Sequence, residues 1–180
     1  MNKIRKILAI LLLSLLLAGC SSGAGTPDPL DALRAPARMV LTGTVGTVEF
    51  SAVLTLTAAP GGGSPDARLE YVLPEALAGL CVVREGGVWG ASLGEVTFSG
   101  DAAAALGLPA AAFFLRGDPA LSGTDRDDAS GEKGTVFSLE TAGGDRLRIT
   151  LCGQVPRRLV LTCADGREMR AEVTEYEPAE

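Results

Sequence analysis

The sequence predicts a mainly β protein, an antiparallel meander whose twisted sheet carries one or two short helices on one face. Three observations predict it. Apolar and polar residues alternate in several separate stretches, glycine-rich turns lie between those stretches, and one alanine-rich segment interrupts the pattern. Alternation with a period of two indicates half-buried strands, and a sheet with one apolar face must be covered by other elements.

The alternation is clearest at 50–57, 68–73, 146–151 and 169–174. Hairpin signals lie between these runs, and they are Glu85-Gly86-Gly87, Gly143-Gly144-Asp145 and Asp165-Gly166. Glycine adopts positive φ at little steric cost, so these sequences suit tight turns. We therefore expect consecutive strands to pair antiparallel.

The segment 100–120 breaks this rhythm and predicts one or two short helices. Asp101 is a suitable N-cap for an alanine-rich turn, and Pro109 suits the first position of a second helix. Its glycines at 100 and 117 mark the ends. Because the segment lies between two groups of strands, we expect it to pack on one face of the sheet.

The large apolar side chains of this segment include Leu106, Phe113 and Phe114. In one interpretation they complete the core, and in the other they form the lid of an apolar cavity between the helices and the sheet. Trp89, the single tryptophan, follows a tight turn and has the same two alternatives, core packing or stacking against a ligand. These four residues are the candidate ligand cavity.

The N-terminus has the pattern of a secretory signal peptide. Lys3, Arg5 and Lys6 precede an apolar run at 7–18, which is too short to span a bilayer as a helix. The run ends at Leu17-Ala18-Gly19-Cys20, which resembles a bacterial lipobox. In proteins with a lipobox the cysteine is diacylated and the chain is cut before it, so Cys20 is the predicted lipidation site.

These features predict four regions. Residues 1–19 are the signal peptide, 20–36 a lipidated tether rich in Gly, Ser and Pro, 37–177 the folded domain, and 178–180 a tail. The predicted location is the extracytoplasmic face of the cell membrane, with the lipid on Cys20 as anchor. No cofactor is expected apart from the covalent diacylglycerol and acyl groups.

The charge of the mature chain disfavours several partners. Cleavage removes three of sixteen basic residues and no acidic residue, which leaves thirteen basic against twenty-two acidic side chains and a charge of −9. Nucleic acid needs a basic surface, so we expect no nucleic-acid partner, and the same charge disfavours binding of anionic lipids through a polybasic surface. The membrane is reached through the lipid on Cys20.

The residue types also disfavour catalysis and metal binding. The chain has no histidine, which excludes Ser-His and Cys-His pairs. Asp125, Asp127 and Asp128 form an acidic cluster, but their spacing does not match an EF-hand, and a solvated loop is favoured over a calcium site. Cys81, Cys152 and Cys163 allow at most one disulfide, and a pairing of Cys152 with Cys163 is disfavoured by strand parity.

The order of these features resembles the lipoprotein-carrier superfamily, the half-barrels of LolA, LolB and LppX type. The stretches that carry the resemblance are VEFSAVLTLTAAPGG (48–62), LEYVLPEALAGL (69–80) and GQVPRRLVLTCADGREMRAEVTEYE (153–177). The greatest similarity is to small clostridial-type lipoproteins, including germination lipoproteins. The resemblance implies a half-barrel with its helices on the concave face, and members carry acyl chains or lipoproteins or grip a partner protein.

Two functions follow as hypotheses. The first is a non-enzymatic, membrane-anchored scaffold that binds or positions an envelope protein, such as an envelope or spore-coat enzyme. The alternative is a carrier or binder of acyl chains or lipoproteins in an apolar cavity. A homodimer is compatible with either. The space left between Phe113, Phe114 and the sheet distinguishes them.

Overall fold

The structure, a computed structural model, describes residues 28–58, 64–126 and 131–179. Strands account for most of them. The strands are β1 (Ala37–Val45), β2 (Val48–Thr57), β3 (Asp66–Leu73), β4 (Cys81–Glu85), β5 (Val88–Leu93), β6 (Val96–Ser99), β7 (Ala120–Arg126), β8 (Lys133–Glu140), β9 (Arg146–Cys152), β10 (Val155–Thr162) and β11 (Glu168–Pro178).

All eleven strands belong to one open antiparallel sheet in the order β6-β5-β4-β3-β2-β1-β11-β10-β9-β8-β7. The chain runs outward through six strands, crosses by the helical segment and returns through five, so the last strand pairs with the first. Among the described residues, no further strand pairs with β6 or β7, which form the two edges of the sheet. The predicted antiparallel meander and open half-barrel are confirmed.

The predicted turns lie where hairpins join consecutive strands. The pairs Glu85↔Val88, Glu140↔Arg146 and Thr162↔Glu168 close these three hairpins. The turns contain Gly86, Gly87, Gly144 and Gly166 at positive φ. Glycine therefore has a steric reason to occupy these positions.

The predicted alternation matches the burial of most strand positions, although Thr150, expected on the polar side of β9, is only 4% exposed. In β2, for example, Phe50, Ala52, Leu54 and Leu56 are each at most 5% exposed. Leu73 was expected to continue the buried row of β3, but it is 54% exposed. The β2–β3 register shifts between residues 51 and 52, and this irregularity moves the end of β3 off the core face.

The segment between β6 and β7 forms α2 (Asp101–Leu106), α3 (Leu108–Ala111) and a 3-10 turn (Ala112–Phe114). The prediction of short helices is confirmed, but both predicted start positions are wrong. Gly100 is the N-cap of α2, so Asp101 is its first residue, and α3 begins at Leu108 rather than Pro109. The acidic side chain of Asp101 still lies in the first turn, where its negative charge interacts favourably with the positive end of the helix dipole.

A further helix, α1 (Pro29–Arg34), lies within the range 20–36 that the sequence assigned to the tether. Leu30 and Leu33 are 4% and 1% exposed, so the packed fold begins before residue 37. The Asp28 side chain accepts a hydrogen bond from the Leu30 amide at 2.9 Å, which caps the helix. β11 also extends to Pro178, one residue beyond the predicted end of the domain.

A single apolar core joins the concave side of the sheet to the helices. Its strand residues come from both halves of the sheet, including Met39, Leu41, Leu54, Leu69, Val82, Leu139, Leu147, Ile149, Leu159, Leu161, Met169 and Val173. Its helical residues include Leu30, Leu33, Ala103, Leu108, Ala110, Ala112 and Phe113. The helices therefore supply one wall of the core.

Candidate functional site

The four predicted cavity residues all belong to the apolar core of the concave side or pack against it, and Trp89 contacts Phe114. Phe113 is 1% exposed and belongs to the continuous core. Leu106, Phe114 and Trp89 are partly buried and pack against the same core. Whether these residues also line a ligand cavity stays a prediction.

Phe114 is covered by other side chains on two sides. Its ring meets the ring of Trp89 edge-on, with the centroids 6.0 Å apart. The guanidinium carbon of Arg84 lies 4.2 Å from the centroid of the Phe114 ring, in cation–π geometry. Arg84 also donates a hydrogen bond to the Pro65 carbonyl at 3.2 Å, which holds it in place.

The environment of Arg84 is partly dry. Burial lowers the pKa of its guanidinium, Asp66 opposes this effect, and the nearby charge of Arg116 adds to it. Because its usual value is far above neutral, Arg84 stays charged. A charged group therefore covers one face of Phe114, which was predicted from sequence to border an apolar space.

The indole ring of Trp89 packs directly against the backbone of Gly107, which lies between α2 and α3 and has no side chain. A Cβ atom at this position would lie 2.5 Å from the Trp89 ring. The backbone of Gly107 has no positive φ, so the close approach of the indole is what requires glycine. Sequence reasoning missed this contact, although a glycine between two short helices was a visible signal.

Tyr71 anchors the end of α2 to the sheet. Its hydroxyl donates a hydrogen bond to the Leu106 carbonyl at 2.6 Å, and its ring meets that of Phe50 edge-on at 6.4 Å. Burial raises the pKa of Tyr71 to about 12, so the hydroxyl remains a donor at neutral pH. Sequence reasoning identified Tyr71 only as a member of an alternating strand.

A cavity of about 700 Å³ lies beside α1 and not among the four predicted residues. Leu30, Arg34, Pro65 and Arg116 are part of its lining. Arg34 has a structural contact, because its side chain donates a hydrogen bond to the Leu115 carbonyl at 2.7 Å and so links α1 to the end of the helical segment. The two main chemical features of the concave side are thus an apolar core and cations placed at its margin.

The acidic cluster is only partly described. Asp125 in β7 faces Arg158 at 3.4 Å, and Arg158 also contacts Glu172 at 3.2 Å. Asp127 and Asp128 lie outside the described residues. Within the described ranges, no group of three or more Cys, Asp or Glu side chains is arranged to hold a metal ion.

The remaining predictions concern the cysteines and the membrane. Among the described residues, Cys81 and Cys163 are free thiols. Cys20 lies outside the described residues, and its lipidation stays a prediction. None of the helices in the described part of the chain has the length and apolar character needed to cross a bilayer.

Comparison with solved structures places the fold. An uncharacterised conserved protein from Thermus thermophilus is similar at a TM-score of 0.53 and 17% identity, over 85% of each chain. MucB of Pseudomonas aeruginosa is similar at 0.53 and 16%, over 88% of this chain and 60% of MucB. A LolA superfamily protein from Nitrosomonas europaea has a TM-score of 0.43 at 8% identity, over 88% and 95%.

The chain shares its fold with MucB and with the Thermus protein. The half-barrel that the sequence resemblance implied is present in the structure, while the closeness to clostridial lipoproteins stays a prediction. No protein-family model matches the chain, and no curated protein matches it. The chain spans about three fifths of MucB, and identities this low show the fold alone.

Proposed function

We propose that this protein is a lipid-anchored extracytoplasmic scaffold, which binds an envelope protein through its half-barrel and performs no catalysis. The observation that carries the proposal is the filled concave side. Phe113 and the small residues Ala103, Ala110 and Ala112 are each at most 1% exposed. They pack in the same core as the inward rows of the sheet, where a carrier would need open apolar space.

The small side chains explain how the helices fill this side so closely. Alanine allows a helix backbone to approach the sheet, and Phe113 then occupies the remaining depth. The residues at the margin, Arg84 over Phe114 and Tyr71 on the Leu106 carbonyl, fix the helical segment in place. A lid that opens for an acyl chain would have to break both contacts.

The similarity to MucB supports a protein as the partner. MucB shares this fold and is known in complex with MucA(peri). The partner proposed here is an envelope protein, with the spore envelope included, and the anchored half-barrel holds it near the membrane. Acyl chains carried in a cavity are the alternative that the next experiment tests.

A fluorescent fatty acid tests the scaffold directly. The purified full-length chain is titrated with the probe and also measured by native mass spectrometry. We expect no saturable binding, and a mass that contains no lipid beyond the covalent anchor, because the helical side chains are already packed in the core between the helices and the sheet. Saturable binding at micromolar probe, or co-purified free lipid, would contradict the scaffold and support the carrier.

The anchor has its own test. Cys20→Ala removes the thiol that lipidation requires, so we expect an unprocessed chain that retains its signal peptide and takes up no acyl group. Metabolic labelling with a fatty-acid analogue measures this, and Cys163→Ala is the matched control that should label like the wild type. Label on the Cys20→Ala chain would refute the anchor.

A further inference from the structure

The two free edges of the sheet differ in how they are protected. Edge strands in soluble proteins usually carry charges, prolines or bulges, which block pairing with another chain. β7 has such devices: its register shifts between Leu121 and Gly123, and Asp125 pairs with Arg158 at 3.4 Å. β6 is Val96-Thr97-Phe98-Ser99, which contains no charge and no proline and pairs with β5 without a shift.

The hydrogen-bond pattern shows which groups of β6 face outward. Leu93↔Val96 flanks the two-residue turn of the β5–β6 hairpin, so this pair and every second pair after it are hydrogen-bonded. The Gly100 amide donates a hydrogen bond to the Trp89 carbonyl at 3.3 Å, as this alternation of hydrogen-bonded pairs requires. Thr97 and Ser99 therefore direct their backbone N–H and C=O groups away from β5.

Exposed apolar side chains lie beside this edge. Leu93 is 42% exposed and Val96 is 65% exposed, and their pairing places them on the face that carries Ala91 and Phe98. Ala91 is buried and Phe98 is partly buried against the core. The apolar surface thus continues past the core to the edge, where nothing in the described part of the chain covers it.

We propose that β6 pairs antiparallel with β6 of a second copy of this chain, which joins the two sheets across a two-fold axis. The axis passes through Phe98, so that Thr97 of each copy pairs with Ser99 of the other. This register forms four backbone hydrogen bonds from the outward-facing groups. It also sets the two Phe98 side chains opposite each other as a non-hydrogen-bonded pair, where side chains are closest.

A second copy fits this edge because of charge and symmetry. The mature chain carries a side-chain charge of −9, so two copies repel each other at most surfaces and approach best where charge is absent. The uncharged stretch is bounded by Glu95 and Asp101, which limits pairing to β6. A two-fold axis makes identical strands antiparallel, which is the pairing found throughout this sheet.

A proline at position 97 tests the interface between copies without removing a hydrogen bond of the β5–β6 hairpin. The Thr97 amide faces away from β5, so Thr97→Pro keeps the internal ladder but removes two of the four hydrogen bonds between copies. Sedimentation equilibrium of the full-length chain in density-matched detergent micelles measures the protein mass. We expect a dimer for the wild type and for the control Thr97→Val, and a single chain for Thr97→Pro.

Cysteine cross-linking is the second measurement. Facing residues in a non-hydrogen-bonded antiparallel pair have Cα atoms close enough for a disulfide, so oxidised Phe98→Cys should form a covalent dimer. Val88→Cys, exposed on β5, should not. A wild type of monomer mass at all concentrations, a dimeric Thr97→Pro chain, or a Phe98→Cys chain that does not cross-link would each overturn the proposal.

Discussion

Gly43→Ala is expected to destabilise the fold by more than about 3 kcal/mol, because the new methyl group would meet backbone that cannot move aside. A Cβ atom at Gly43 would lie 1.9 Å from the Arg170 carbonyl oxygen and 2.8 Å from the Ala171 Cα atom. Relief requires β1 and β11 to separate, and this pair joins the two halves of the sheet. Urea unfolding followed by circular dichroism measures the loss.

Gly90→Ala is the matched control for this substitution. Gly90 also lies within a strand and has no positive φ, but a Cβ atom there would lie 3.5 Å from the Val83 Cγ2 atom, an ordinary contact. We expect its free energy of unfolding to stay within about 0.5 kcal/mol of the wild type. Equal losses at the two positions would show that close approach at Gly43 is not the cause.

Phe113→Ala is expected to cost about 3–5 kcal/mol, which is the usual loss when a fully buried phenylalanine is truncated. The side chain is 1% exposed and lies in the core between the helices and the sheet. Its loss leaves a cavity lined by apolar groups, which remains dry. Thermal and urea unfolding of the full-length chain give the difference.

Phe114→Ala serves as the neighbouring comparison. Phe114 is only partly buried, although Trp89 and Arg84 contact it, so we expect a distinctly smaller loss than at Phe113. The Phe113→Ala chain should also gain binding of a small apolar probe that the wild type lacks. A loss below about 1 kcal/mol at Phe113 would mean that its ring already borders empty space, and the scaffold would lose its main support.

The alternating strands and the hairpins between neighbouring strands follow from local patterns, which is why they were predictable, whereas the pairing of β1 with β11 joins distant parts of the sequence and was not predicted. Alternation at Phe50, Ala52 and Leu54 and the glycines of the hairpins report on neighbours a few residues away in the chain. The same is true of the helical segment, whose alanines and flanking glycines differ from all the surrounding sequence. α1 has a local start signal in Asp28 and Pro29, but with six residues it is too short to show a periodicity.

The contacts of the candidate site were not predictable, because they join residues far apart in the sequence. Arg84 reaches Phe114, Tyr71 reaches the Leu106 carbonyl, and Trp89 rests on Gly107. An arginine in a strand gives no sign that it will cover an aromatic ring thirty positions later. The sequence could name Phe113 and Phe114 as the largest groups of the segment, but their burial depends on the depth between two packed layers.

The pairing of β11 with β1 has a consequence for how the chain is made. The strand that holds the centre of the sheet together, 168–178, follows all the other described strands in the sequence and therefore leaves the ribosome after them. Until those residues emerge, the six-strand and four-strand portions have no ladder between them, and the nascent chain cannot close its core. If residues 1–19 act as the predicted signal peptide, the chain can be threaded through a translocation channel before β11 is available to close the sheet.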